Sequence, residues 1–441
     1  MHTTQIFSRY AAEFRQRPLP GEVLHHAKRA VIDWYASLFP GLATAPVKLL
    51  EETLAEDLDR GNARLASGRP ATARAAALLN GTAAHAAEID DSYRDAMYHP
   101  GAATIAAALA AGHERNATGL QFLRGVVLGY EVSTRIGVVM GRPHYKFWHS
   151  TGTVGTFGAA AAAAGLLELD ESAFAHALAT AATFAAGLQQ AFRMDSMSKP
   201  LHAGRAAEAG LLAAQLARRG LTGSLDVLDG EAGLGQAMST GPDWSQVGAT
   251  LGSDFHITRL TFKNHIGCGH TFAAIDGALE LQRLYGLQAS EIERVHIATY
   301  KPALDIACYE RPTTANEARF SLTYVVASAL VHGSVRLAAY EPARLDDPVT
   351  RALMERISVS VDPEIDAAFP GQRAARVDIE TRDGRRLTHL QPNRKGDPEQ
   401  PLSDLELEDK LIELASPVIG IDKARALLAR LWILDTSESL P

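Results

Sequence analysis

At 441 residues the chain is long for a single core, so two or three domains are expected. Lys plus Arg total 43 against 51 for Asp plus Glu, a formal charge of −8 with no basic tract, which argues against nucleic acid as a partner. Two cysteines, Cys268 and Cys308, with no CxxC pair, argue against a disulfide framework, a structural zinc or an iron–sulfur site. Residues 1–15 are polar and mixed, and the apolar stretch 102–111 is too short to span a bilayer. A cytoplasmic protein with no membrane association is therefore expected.

Hydrophobic residues make up 46% of the chain but aromatics only 7%. Much of the apolar content is alanine, the best helix former, in runs such as Ala159 to Ala164. Residues 1–262 read as helix after helix: 24–38, 73–87, 101–111, 120–139, 153–167, 172–188 and 205–219. Gly220 falls at a normal C-cap position. A short helix is predicted over 225–234. Residues 257–262 alternate and predict a strand. A helix follows over 271–285. The β-branched runs 292–300 and 357–361 predict strands, and 318–332 predicts a buried helix. Residues 376–381 and 386–391 predict a hairpin through Asp383-Gly384. Helices return over 404–415 and 422–431. The fold class is mainly α with an α+β second domain. The expected domains are 1–262 plus 403–441, all helical, and 263–402, a smaller α+β domain.

Five stretches carry polar residues that helix packing alone does not require. In 85–101, Asp90 and Asp91 precede His99-Pro100, which places His99 at a helix start where the dipole favours a neutral imidazole. In 141–158, His144, Tyr145, Lys146 and His149 crowd a loop before a glycine-punctuated alanine helix. Ser150, Thr151 and Thr153 at that helix start suit a carboxylate ligand. In 192–210, Arg193, Lys199, His202 and Arg205 concentrate positive charge within an acidic chain. In 262–279, Lys263, His265, Cys268 and His270 lack paired zinc-ligand spacing, and no oxyanion hole or orienting acid marks Cys268 as a nucleophile. The fifth, 311–324, opens a helix at Asn316-Glu317.

Together these stretches resemble the MmgE/PrpD family, in consistent order along nearly the whole chain. The matching segments are NGTAAHAAEIDD at 80–91, HPGAATIAAALA at 99–110, GYEVSTRIG at 129–137 and WHSTGTVGTFGAAAAAAGLLELD at 148–170. They continue with SKPLHAGRAAEAGLLAAQLARRGLTGSLDVLDGEAGL at 198–234, KNHIGCGHTFAAIDGAL at 263–279, EARFSLTYVVASAL at 317–330 and KGDPEQPLSDLELEDK at 395–410. The resemblance implies a helical domain built from both termini, an inserted α+β domain, a cleft active site between them and a homodimer without metal or cofactor. It carries the family's site onto Asp91, His99, His149, Lys199 and Lys263. A further histidine of decarboxylase members falls near Cys268. Ser92 stands where dehydratases usually have Thr. Tyr145, Lys146, Arg193, His202 and Arg205 are additional substrate-binding candidates.

The family's reactions work beside a carboxylate, so a base and cations aimed at the developing charge are needed. Lys199 and Lys263 are the expected cations, His99 and His149 the proton carriers, and Asp91 an orienting or acting group. The expected activity is that of a cofactor-independent lyase of the 2-methylcitrate dehydratase type on a small di- or tricarboxylate. An iminodisuccinate-type epimerase, a cis-aconitate-type decarboxylase and a non-catalytic anion-binding protein are the alternatives.

Overall fold

The computed structural model describes residues 1–192, 196–369 and 371–441. The chain forms two compact units, one of Met1–Phe262 with Ser403–Pro441 and one of Lys263–Leu402.

The first unit is built from helices α1 (Thr3–Gln16), α2 (Gly21–Leu42), α3 (Ala45–Thr53), α4 (Ala73–Ala86), α5 (Pro100–Arg115), α6 (Gly119–Tyr145), α7 (Ser150–Leu166), α8 (Glu171–Phe184) and α9 (Lys199–Ala217). A small antiparallel hairpin, β1 (Leu58–Arg64) with β2 (Pro70–Ala71), interrupts them. Helix α7 lies at the centre, packed by α5, α6, α8 and α9. Ala159 through Ala164 are all fully buried there. Alanine at a helix crossing leaves little side chain between the backbones, so neighbours approach closely. Glycine takes this further at the α4–α9 crossing. A Cβ added at Gly204 would come within 2.1 Å of Thr82 Oγ1 and 2.2 Å of the Leu78 carbonyl oxygen. The crossing therefore fixes the end of α4 against the start of α9. Helix Asp404–Ile419 packs on α2, where buried Lys410 pairs with buried Asp33 at 2.6 Å.

The second unit holds a four-stranded sheet in the order β4-β3-β5-β6: β3 (Ile292–Thr299), β4 (Ile357–Val361), β5 (Ala375–Thr381) and β6 (Arg386–Gln391). The β3–β4 pair is parallel and the other pairs are antiparallel. Along β5, Ala375, Val377, Ile379 and Thr381 are buried in alternation, and helix Phe272–Tyr285 packs on β5 and β6. Gly384, at φ +86°, makes the β5–β6 turn.

Several predicted elements are corrected. Residues 257–262 form no strand: His256–Arg259 is a 3₁₀ turn, and only Thr261 makes an isolated bridge, to Ser92. The apolar spacing there buries Ile257, Leu260 and Phe262 without a neighbouring strand to pair with. Residues 225–233 are turns, and the short helix is Leu234–Met238. The predicted helix 172–188 stops at Phe184, and the one predicted from 205 begins at Lys199. The predicted helix 318–332 is broken at Phe320-Ser321, where the Ser321 side chain caps a new helix, Leu322–His332. Among the described residues, no helix is long and apolar enough to cross a membrane.

Candidate active site

In the helical unit, one end of α4 meets the starts of α5, α7 and α9. His85 lies in the last turn of α4. The chain then turns through Glu88, a non-glycine residue at φ +60°, into Asp90 and Asp91. Met97, at φ +48°, closes the same loop just before His99. Two left-handed residues bracketing one loop are a local cost that packing must hold in place. His99 is the N-cap of α5 and His149 the N-cap of α7, yet neither side chain caps its helix. Ser, Thr, Asp or Asn would stabilise either position by about 1 kcal/mol more.

The two aspartates divide their work. Asp91 is buried; its carboxylate accepts the Tyr130 hydroxyl at 2.7 Å and the Gly101 N–H at 3.0 Å, tying down the first turn of α5. Burial, with the nearby Asp33 and Asp90 charges, pushes its pKa up to about 8 against these two hydrogen bonds. Its backbone carbonyl accepts from His99 Nδ1 at 2.7 Å. The orienting carboxylate is that of Asp90, with His85 Nδ1 at 2.7 Å and His99 Nδ1 at 3.4 Å. Since a carbonyl only accepts, His99 carries its hydrogen on Nδ1, and in the neutral ring the basic atom is Nε2.

Four imidazoles follow one another. The ring centroids of His85 and His99 are 5.0 Å apart, those of His85 and His149 5.4 Å, and those of His149 and His202 5.2 Å. His149 and His202 share a hydrogen between their Nδ1 atoms at 3.0 Å. Burial, then the His85 and Lys199 charges, lowers the pKa of both, His149 well below the usual value and His202 to about 4. Both are therefore neutral at physiological pH. Lys199 pairs with Glu88 and lies 4.8 Å over the Phe192 ring, which meets the His149 ring at 77°.

Not every expected residue joins this cluster. Arg205 is exposed and paired with Glu208. Lys146 is exposed, its ammonium 5.1 Å from the Phe147 ring centroid, and Tyr145 is half-buried at the end of α6. Arg193 lies outside the described residues. The hydroxyls at the α7 start are buried and used internally: Thr151 accepts from the His99 N–H at 3.3 Å, and Thr153 bonds His144 at 2.7 Å. His144 is likewise buried, away from any open loop. His85 and Asp90 are the residues that sequence reasoning did not single out as site members. A histidine facing inward from an alanine helix, five positions before an aspartate, is the signal that was available.

In the second unit, Lys263 is half-buried and Cys268 is buried. Burial raises the Cys268 thiol to about 11, outweighing the opposing pull of Lys263, Arg373 and Arg394, so it is a poor nucleophile. His265 bonds Asp276 at 2.8 Å and His270 bonds the Tyr300 hydroxyl at 2.9 Å. These side chains are committed to separate partners. Among the described residues, the grouping with metal-ligand proximity is His85, Asp90 and His99, whose donor atoms lie within 4.8 Å of one another. Both Nδ1 atoms there present N–H groups, to Asp90 and to the Asp91 carbonyl, so hydrogen bonds hold this grouping together.

Comparison with known proteins gives the family. The MmgE/PrpD N-terminal domain matches residues 5–247 and the MmgE/PrpD C-terminal domain matches residues 265–435. The chain belongs to the MmgE/PrpD family. A cis-aconitate decarboxylase-like protein of Aspergillus oryzae is 29% identical over 470 residues, spanning all of this chain and 96% of that protein. The cis-aconitate decarboxylase of Homo sapiens is 28% identical over 80% of this chain and 75% of its own length. That of Aspergillus terreus is 27% identical over 86% and 82%. The MmgE/PrpD membership and these relatives support an enzyme acting on a small carboxylate.

Proposed function

We propose that this MmgE/PrpD member is a lyase of a small unsaturated di- or tricarboxylate, and that it acts by decarboxylation. The observation that carries the reading is the neutral His149–His202 pair beside Lys199 and His99, in a chain whose relatives are cis-aconitate decarboxylases. Loss of CO2 breaks a carbon–carbon bond and leaves its electron pair on carbon, delocalised toward the remaining carboxylate. The Lys199 ammonium stabilises that charge, and Lys263 is proposed as a second cation on the family resemblance. One proton must then reach the carbanion carbon. His99, held in one tautomer, and His149 are the groups proposed to deliver it, each first taking up a proton that originates in solvent and returning to the neutral ring as it gives that proton to carbon, while Asp91 positions His99 through its carbonyl. Cys268 is a proposed substrate contact with no acid–base part, because its thiol stays protonated.

That same thiol favours a second reading. On the family resemblance, decarboxylase members carry a histidine near this position, and a buried thiol is a far weaker acid. Dehydration of a 2-hydroxy tricarboxylate, of the 2-methylcitrate type, needs only a base at the α-carbon and an acid for the departing hydroxide. An iminodisuccinate-type epimerase would need proton donors on both faces of one carbon. The resemblance further implies a homodimer, and two cysteines without a disulfide framework fit a cytoplasmic location; we include both in the proposal.

Incubation with cis-aconitate, 2-methylcitrate, citrate and iminodisuccinate in D₂O separates these readings. Decarboxylation predicts CO2 release from cis-aconitate with one deuterium in the product. Alkene formation from 2-methylcitrate without CO2 would favour the hydro-lyase. α-Deuterium exchange with neither product would sink both.

A further inference from the structure

The helical unit buries more imidazoles around Lys199 than proton transfer to one carbon requires, and His85 has no assigned part. It is fully buried in the last turn of α4. Its Nδ1–H donates to Asp90 at 2.7 Å, and its buried Nε2 has no hydrogen-bond partner among the described residues. A buried imidazole nitrogen without a partner is costly unless the atom has a use. Its ring lies 5.4 Å from that of His149 at an interplanar angle of 28°, and 5.0 Å from that of His99.

We propose that the Asp90–His85 pair takes the first proton that enters this cluster, in preference to His149 and His202, and thereby keeps His149 neutral. The reason is in the hydrogen bonds. Asp90 is an anionic acceptor on His85, so an imidazolium there is half of an ion pair. Among the described residues, His149 has the neutral ring of His202 on its Nδ1 and no carboxylate bonded to it. Among the described residues, the charged and titratable groups facing His149 are His85 from α4, His99 from the α5 start, and Lys199 and His202 from α9. A proton on His149 is therefore repelled from three elements; one on His85 faces the His99, His149 and His202 rings as well, but is matched by Asp90. His85 is a positioning residue: it acts through His149 and touches no reacting atom. The inference rests on the lyase reading for its purpose. Decarboxylation consumes a proton, and a stored one at His85 sits one ring from each proposed carrier.

Histidine-labelled protein, read by long-range ¹H–¹⁵N correlation through a pH titration, tests this without any substrate. In the wild type, His85 should show the Nδ1–H tautomer and gain its second proton at higher pH than His149 or His202. In His85→Gln, the His149 titration should move to higher pH, because the nearby positive charge is gone. In Asp90→Asn, the His85 titration should move to lower pH. Titration of His149 or His202 ahead of His85 in the wild type would overturn the proposal, as would an unchanged His149 curve in folded His85→Gln. With turnover in hand, His85→Gln should lower kcat by about ten- to a hundredfold, with KM little changed and the pH profile displaced along its axis. A uniform loss at every pH would mark a merely structural role and would also overturn it. Absence of turnover on every carboxylate would count against the lyase reading alone, since the titration is measured on the substrate-free protein.

Discussion

Lys199 stands at the first residue of α9, the helix end where a cation is least favourable, by about 0.3–1 kcal/mol. Glu88 offsets this from the left-handed turn after α4, and Phe192 covers one side of the ammonium. Three local features, none required for the helix, converge on one charge. Lys199→Met should lower kcat/KM by about a hundred- to a thousandfold on whichever carboxylate is turned over, the range for losing one preorganised charge donor. Circular dichroism and melting should stay close to wild type; near-normal activity would remove Lys199 from the site. The lysine, both N-cap histidines and Asp91 were legible in the sequence as candidates, the lysine and histidines because a helix start does not call for them. The division between Asp90 and Asp91 was not. It depends on which side chain reaches Tyr130 and which reaches His85, and adjacent residues in a loop carry no spacing rule for that. Arg205 stood in the same stretch of sequence as an additional substrate-binding candidate. Its position six residues along α9 turns it outward, to Glu208.

At the scale of elements, the α4–α9 crossing sets the site. Gly204 lets the two backbones touch, which brings His85 at the end of one helix to Lys199 and His202 at the start of the other. Gly204→Ala should lower stability by about 1–3 kcal/mol, because the atoms it meets at α4 include a backbone carbonyl that cannot swing aside. A denaturant melt with an unchanged midpoint would contradict this. The helices were readable because small apolar residues recur at helical spacing over long windows. Elements that failed were short. The stretch 257–262 alternates like a strand, but a strand also needs an edge to pair with, and sequence does not supply one. The β1–β2 hairpin escaped notice for the converse reason: β1 reads LDRGNAR, with only Leu58 and Ala63 buried.

Across the whole molecule, buried titratable groups set how stability follows pH. Burial lowers the pKa of His149 well below its usual value, of His202 to about 4, and of His256 and His270 to about 3. The unfolded chain takes up protons at these sites first, so stability is lost as pH falls below about 6.5. Burial raises Asp91 to about 8 and Glu131 to about 7. The folded chain holds these protons after the unfolded chain has released them, so stability also falls as pH rises toward 8. Between about pH 4 and 6.5 the two groups oppose, and the more numerous imidazoles prevail. Denaturant melts should therefore show a maximum near pH 6.5, and Asp91→Asn should flatten the alkaline side. A steady rise to pH 8 in the wild type would contradict the burial assigned to Asp91.

Turnover of a small carboxylate by the buried imidazole cluster and Lys199 of the helical unit is proposed, and it can be measured by supplying carboxyl-labelled cis-aconitate to the wild type and to Lys199→Met and counting labelled CO2. Release by the wild type, reduced at least a hundredfold in the folded variant, is the predicted result. Release at equal rates from both proteins would contradict it.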